Sequence, residues 1–226
     1  MENFLLLMQL TDSNFPSGAF SHSFGTESFI QQGHIENVQQ FQPFLEGYIE
    51  QLCYTDGVAT KLVYEYLTND DWANIIALDE LLYCSASATE SRLGAQRIGQ
   101  QMLRLYRTLY PNTALDTYAQ LIADKKVYGH SSITQAILLY ELKFPQHVAI
   151  QTILYTACSS IIQNAVRGVP LGQTDGQKMF QLAVAKCAAA VEKVLTLDEK
   201  YVGCTAPLLE IKQMQHEQLH VRLFMS

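Results

Sequence analysis

Positive charge is scarce in this chain. It carries 15 Lys+Arg against 22 Asp+Glu, a formal net charge of −7 over 226 residues, with a pI of about 5.3. So few cations cannot grip a phosphate backbone, which argues against a nucleic-acid ligand. No block of like charge is present to mark an interaction tail. Cysteine is sparse and scattered: Cys53, Cys84, Cys158, Cys187 and Cys204 lie far apart, are odd in number and form no C-x-x-C. This excludes a disulfide framework and a zinc ribbon, and predicts buried reduced thiols in a cytosolic protein. Alternating strand patterns with hairpin turns are missing. So are internal repeats, low-complexity tracts and long linkers. The opening MENFLLLMQLTD has an apolar run but no basic flank, and reads as no signal peptide. From Phe144 to Val166 there is no Asp, Glu, Lys or Arg. That length suits a membrane span. Gln151, Thr152, Thr156, Ser159, Ser160, Gln163 and Asn164 within it instead predict a central helix wrapped by others.

What is present is helical periodicity. Nearly half the residues are apolar, enough for a large core. Phe41, Phe44, Leu45, Tyr48, Ile49 and Leu52 recur at three and four, as do Ile98, Met102, Leu105, Tyr106 and Leu109. Pro43 is expected near the start of its helix, where a missing N–H costs little. Residues 69–85, 113–124, 132–142, 147–166 and 175–195 read the same way. The expectation is one all-α domain, a helical bundle over residues 1–226 with short connections.

One motif suggests chemistry. His216-Glu217-Gln218-Leu219-His220 spells H-E-x-x-H, which on a helix sets two imidazoles on one face for zinc, with the Glu as general base. The third ligand is missing downstream, and only His22 or His34 could supply one from upstream. The alternative is a terminal scaffold helix: Gln213, His216, Glu217 and His220 form its polar stripe, and Leu208, Ile211 and Met214 lie on its other side. No Walker-type G-x-x-x-x-G-K-[ST] occurs, since GQTDGQK (Gly172 to Lys178) has the wrong spacing, and no G-x-S-x-G elbow occurs. Ser21, His22 and Ser23 are neighbours that cannot face one another as nucleophile and base. The loops around Asn14–Gly18 and Val169–Gln173 are apolar yet rich in Pro and Gly, which marks them as buried or as contact surfaces. In the tail, Leu223 and Phe224 either pack back on the domain or anchor another protein.

Taken together, several stretches resemble the urease accessory protein UreF family. These are LLLMQLTDSNFPSGAFSHSFGTESFIQQG, then ATESRLGAQRIGQQMLRL, then AVRGVPLGQTDGQ, and the ending TAPLLEIKQMQHEQLHVRLFMS. They run in family order from residue 5 to residue 226. In the family the second His of HEQLH is often Tyr, which a metal ligand would not tolerate. The resemblance implies a non-catalytic, homodimeric, all-α protein with no cofactor of its own. It implies binding to the accessory protein UreD/UreH, recruitment of the nickel-carrying GTPase UreG and nickel loading of apo-urease, in the cytoplasm, with neither nucleic acid nor membrane as partner. The missing P-loop agrees, since the GTPase supplies it. The matched positions are Pro16, Gly18, Ser21, Gly25 and Glu27, then Glu90 and Arg92, then Arg167, Pro170, Gly172 and Gln173, and finally His216, Glu217, Arg222, Leu223, Phe224 and Ser226. Glu27, Glu90, Arg167, Pro170, Gly172 and Gln173 are expected on a GTPase-facing surface. His216, Glu217, Arg222, Leu223 and Phe224 are expected to dock UreD/UreH, with Phe224 as the aromatic anchor. Arg167 stands where some other members carry Lys, which changes the contact a partner would find. Two other readings compete with this one, a zinc hydrolase built on HEQLH and a helical adaptor for another cargo.

Overall fold

The computed structural model describes residues 2–169 and 171–226, and side chains from residue 4 onward. Among the described residues eleven α-helices occur: α1 Glu2–Thr11, α2 Thr26–Gln31, α3 Val38–Leu52, α4 Val58–Thr68, α5 Trp72–Ser85, α6 Thr89–Leu109, α7 Thr113–Ala123, α8 Ser131–Glu141, α9 Gln146–Gly168, α10 Gln173–Thr196 and α11 Pro207–His216. No strand occurs among them. The starts follow from local chemistry. Asn37, Asp71 and Asn112 accept from the amides of Gln40, Asn74 and Leu115, satisfying donors that the first helical turn leaves open. A π-helical turn, Cys53–Gly57, joins α3 to α4 without a break.

The axis of the fold is α9, which packs against α10, α3, α4 and α8. Ile150, Leu154, Cys158, Ile161 and Ile162 are fully buried along it, as its uncharged sequence predicts. Among the described residues no helix is long and apolar enough to cross a membrane. Two polar positions of α9 point back to its own backbone, Thr152 Oγ1 donating to Val148 O at 2.7 Å and Thr156 Oγ1 to Thr152 O at 2.8 Å. The loop before α8 is fixed by one carboxylate. Asp79, fully buried on α5, accepts from Tyr118 Oη (2.9 Å) and from the amides of Tyr128 (2.6 Å), Gly129 (3.1 Å) and His130 (3.1 Å).

Three sequence expectations differ from the structure. Pro43 is the sixth residue of α3, not in its first turn. It sits on the exposed side, where water can take the carbonyl its missing N–H leaves free. Of the five thiols, Cys53, Cys158 and Cys187 are buried, but Cys84 and Cys204 are exposed. The stripe of α11 is inverted. Lys212, Gln213 and His216 face inward with Leu209, while Leu208, Ile211 and Met214 are exposed.

Candidate functional site

That inversion has a local cause. The inner face of α11 meets a polar seat made by α2, the loop before it and the start of α6. Gly25 gives α11 room to approach. Its φ of +87° is one that side-chain-bearing residues avoid, and a Cβ there would lie 2.9 Å from Gln213 Cγ. Phe24, just before it, is also left-handed at φ +46°, so the backbone turns sharply into α2.

At the centre of the seat His216 is fully enclosed. Its Nε2 lies 2.9 Å from Glu27 Oε2 and its Nδ1 2.7 Å from Glu90 Oε2. Glu27, on the first turn of α2, is 2% exposed. It accepts four hydrogen bonds. Leu223 N (2.7 Å) and Gln31 Nε2 (3.0 Å) reach Oε1, and His216 Nε2 and Phe224 N (3.1 Å) reach Oε2. Three of these partners, the Leu223 and Phe224 amides and Gln31 Nε2, can only donate, so Glu27 meets them as an acceptor on both oxygens. Glu90, on the first turn of α6, also takes Arg222 Nη1 at 2.5 Å. His216 thus sets one ring nitrogen on each carboxylate, and the Arg222 guanidinium sets a permanent cation against Glu90. Burial pushes the Glu90 carboxyl up, but the hydrogen bonds from His216 and Arg222 outweigh it and hold the group below its ordinary value.

The network clamps the tail. Residues 221–226 run as an irregular, bent segment across α2 and the first loop. Val221 O accepts from Gln31 Nε2 (2.7 Å), Met225 N donates to Ser21 O (2.7 Å), and Ser226 O accepts from the amides of Ser23 and Phe24. Ser226 Oγ lies 2.7 Å from His22 Nδ1. Here α6 comes so close that a Cβ on Gly94 would lie 2.9 Å from that nitrogen. Burial, then Arg97, lowers the pKa of His22, with Glu90 opposing. The Phe224 ring is buried under Arg167, whose guanidinium sits 5.5 Å from the ring centroid. Arg167 also donates to Phe20 O (3.1 Å) and Asn164 Oδ1 (2.6 Å), and Asn164 donates to His22 O (2.7 Å). Leu223 and Met225 point outward. The tail therefore does both things its sequence left open: Phe224 packs back and Leu223 stays exposed.

The residues expected in two separate surfaces thus form one network. Glu27, Glu90, His216, Arg222, Phe224 and the Leu223 amide meet directly, and Arg167 joins through Phe224. Glu27 is buried and Phe224 covered, so neither presents its side chain at a surface in this conformation. Exposed Glu217 contributes its carbonyl to Arg222 Nη2 at 3.0 Å. Gly172 and Gln173 are exposed at the start of α10, outside the network. Pro170 lies outside the described residues. Sequence reasoning missed Gln31, for which no signal exists. It passed over Asn164 and His22 as a bundle polar residue and a loop histidine. Beside the network a cavity of about 180 Å³ is lined by Ser91, Gln135, Ser160 and Gln213, with Gln135 Nε2 buried and unpartnered.

The same geometry answers HEQLH. Helix α11 ends at His216, so His220 lies beyond the helix, exposed, and shares no helical face with it. Both His216 nitrogens are engaged by carboxylates, and the ring is fully enclosed. Among the described residues no group of three His, Cys, Asp or Glu is arranged to hold a metal ion.

Comparison with known proteins follows the same landmarks. The family model named UreF matches residues 35–183. The urease accessory protein UreF of Lachnoclostridium phytofermentans is 44% identical over 228 residues, covering both chains completely. That of Bacillus sp. (strain TB-90) is 43% identical, again over the whole of both chains. The one from Geobacillus kaustophilus is 41% identical over all of this chain and 99% of its own. The family model and these full-length likenesses show that the chain belongs to the UreF family of urease accessory proteins.

Proposed function

We propose that this chain is a non-catalytic urease maturation factor. It acts in the cytoplasm as a homodimeric scaffold that binds the accessory protein UreD/UreH. The pair recruits the nickel-carrying GTPase UreG, so that nickel enters apo-urease. Nickel and GTP belong to the other components, and this chain needs no cofactor of its own.

The observation that carries the reading is the clamped tail. A hydrogen-bonded lock of Glu27, His216, Glu90 and Arg222 holds residues 221–226 in one register while Val221, Leu223 and Met225 stay exposed. A chain end ordered by buried polar chemistry, yet apolar on its outer side, suits a preformed docking edge. Arg167 and Glu90 lie within or against the lock, so a partner reading their charge would also sense whether the tail is seated.

Co-expression with the UreD/UreH protein of the same organism tests this, with the tag on the partner alone and the eluate weighed by light scattering. The expected result is a stable complex containing this chain, lost on deletion of residues 222–226. If both proteins are folded and do not associate, the scaffold reading fails.

A further inference from the structure

The outer surface of α11 adjoins a second feature that the tail does not explain. Between α2, α3 and α11 lies an open apolar groove of about 490 Å³, walled by Phe29, Ile35, Phe44, Tyr48 and Leu208. Set into its wall is Lys212, only 6% exposed. Its ammonium group donates to Gln32 Oε1 and lies 5.6 Å from the centre of the Phe29 ring. Gln32 in turn donates to Gln215 Oε1 at 3.0 Å. Among the described residues no carboxylate lies within ion-pair distance of Lys212. The nearest acidic residue on its own helix, Glu210, faces elsewhere and accepts from the Ser87 amide at 2.9 Å.

A buried ammonium group balanced only by a neutral amide and a ring face is costly, because it has given up water without gaining a counter-charge. The cost is acute in a chain whose net charge is −7, where carboxylates are plentiful and none is placed here. The groove thus lacks one component of stated chemistry, a carboxylate flanked by apolar groups. Its size alone would suit a small amphiphilic acid. The exposed row Leu208, Ile211 and Met214 continues the apolar surface beyond the groove, and a small molecule would leave it uncovered. A polypeptide covers both.

We propose that the α2–α3–α11 groove seats a segment of a partner protein that carries an Asp or Glu beside large apolar side chains, with Lys212 as the counter-charge. The partner's apolar residues fill the groove and cover the α11 row, and its carboxylate joins the Lys212 ammonium. The desolvated pair then supplies specificity that apolar contact alone would not. The chemistry of the segment follows from the groove itself. Only the identification of its owner as a urease maturation protein rests on the scaffold reading.

The test uses the full-length chain in two assays. In the first, random dodecapeptides displayed on phage are selected on the wild-type chain and rescreened on Lys212→Met and Lys212→Glu. Met keeps the aliphatic stem over Phe29, and circular dichroism checks that each variant is folded. Selected peptides are expected to combine Asp or Glu with Leu, Ile, Phe or Trp, and to bind Lys212→Met about tenfold more weakly. Selection of no peptide, selection of peptides without a carboxylate, or equal binding to Lys212→Met overturns the proposal. So does a change in the chain's own association on Lys212→Glu, measured by light scattering, since the occupant would then be a second copy. In the second assay the same variants are titrated with UreD/UreH. Acidic–apolar peptides that depend on Lys212, together with no binding of UreD/UreH by wild type, refute the scaffold reading and leave the groove proposal standing. Binding of UreD/UreH without any Lys212-dependent peptide does the reverse.

Discussion

Replacing Glu27 by Gln tests the lock with little change of shape. The carboxylate accepts on both oxygens, Oε1 from Leu223 N and Gln31 Nε2, Oε2 from His216 Nε2 and Phe224 N. An amide offers one acceptor oxygen, and its NH2 must then confront the two donors on the other edge. Hydrogen bonds to a charged group contribute about 1.5–3 kcal/mol each. Losing two, together with the ion pair to His216, costs about 3–5 kcal/mol, the range for breaking a buried charged pair. The chain need not unfold to relieve this. The tail is a short terminal segment held mainly by hydrogen bonds and by the Phe224 ring, so it can detach and return its amides to water. The effect is therefore expected as local opening. Hydrogen exchange with mass spectrometry on residues 217–226 should speed up about a hundredfold or more, since each 1.4 kcal/mol is about a factor of ten. Peptides from α9 should keep their protection. Unchanged exchange in the tail would refute the clamp. Equal acceleration in α9 would show that the network holds the whole fold and not the tail.

Asp79→Ala should act globally. It strands Tyr118 Oη and three loop amides in the interior, at a cost of about 3–5 kcal/mol, which lowers Tm by roughly 10 °C for a chain of this size. Calorimetry checks it. The depressed pKa of His22 means the folded chain prefers the neutral ring, so the unfolded chain takes up the proton first. Stability from this source is complete above about pH 6.5 and declines as pH falls from there to the folded value. Urea unfolding across that window should show the slope, and His22→Asn should reduce it. For Glu90 the sign is that of a stabilised carboxylate. Its contribution is present above the ordinary glutamate range near pH 4.3 and disappears as pH falls through the lower folded value. Tail exchange should therefore stay slow down to mildly acid pH. Replacing Leu208 by Ser and Ile211 and Met214 by Gln should leave stability within about 0.5 kcal/mol, because these side chains are already in water. UreD/UreH capture by the variant should weaken, and unchanged capture would remove α11 from the docking surface.

The helices were legible because their signals are local. Apolar spacing marked α3, α6 and α9, and each of the five segments read from period alone overlaps a helix of the structure. The six-residue α2 carried too few periods to read, whereas α1 and α4 went unmarked although α4 is as long as α7 and α8. The site was legible in part. Glu27, Glu90, His216 and Arg222 stood out through family landmarks, but 189 residues separate Glu27 from His216 and 126 separate Glu90 from it. Nothing in a linear pattern says that such residues share a pocket, so they were divided between two surfaces. The inversion of α11 was illegible for a related reason. A polar stripe faces water by default, and only knowledge of Glu27 and Glu90 beneath it reverses the orientation.

That reversal places His216 of HEQLH against two carboxylates, away from His220. A tail ordered by apolar contact alone can slip by a residue, because greasy surfaces do not define a register. Glu27 removes the freedom. It accepts two successive amides, Leu223 and Phe224, at a bend in the chain, so a shift by one residue would move the bend off the carboxylate. His216 orients Glu27 from one side and Glu90 from the other, and Arg222 closes the array on Glu90. With the register fixed, alternate residues take opposite roles: Phe224 and Ser226 face in, Leu223 and Met225 face out. The polar groups of the network are buried, where they select one conformation, and the apolar side chains that a core would normally claim are left on the outer faces of α11 and the tail. His216 is therefore the keystone of the tail clamp, held between two carboxylates and set apart from His220.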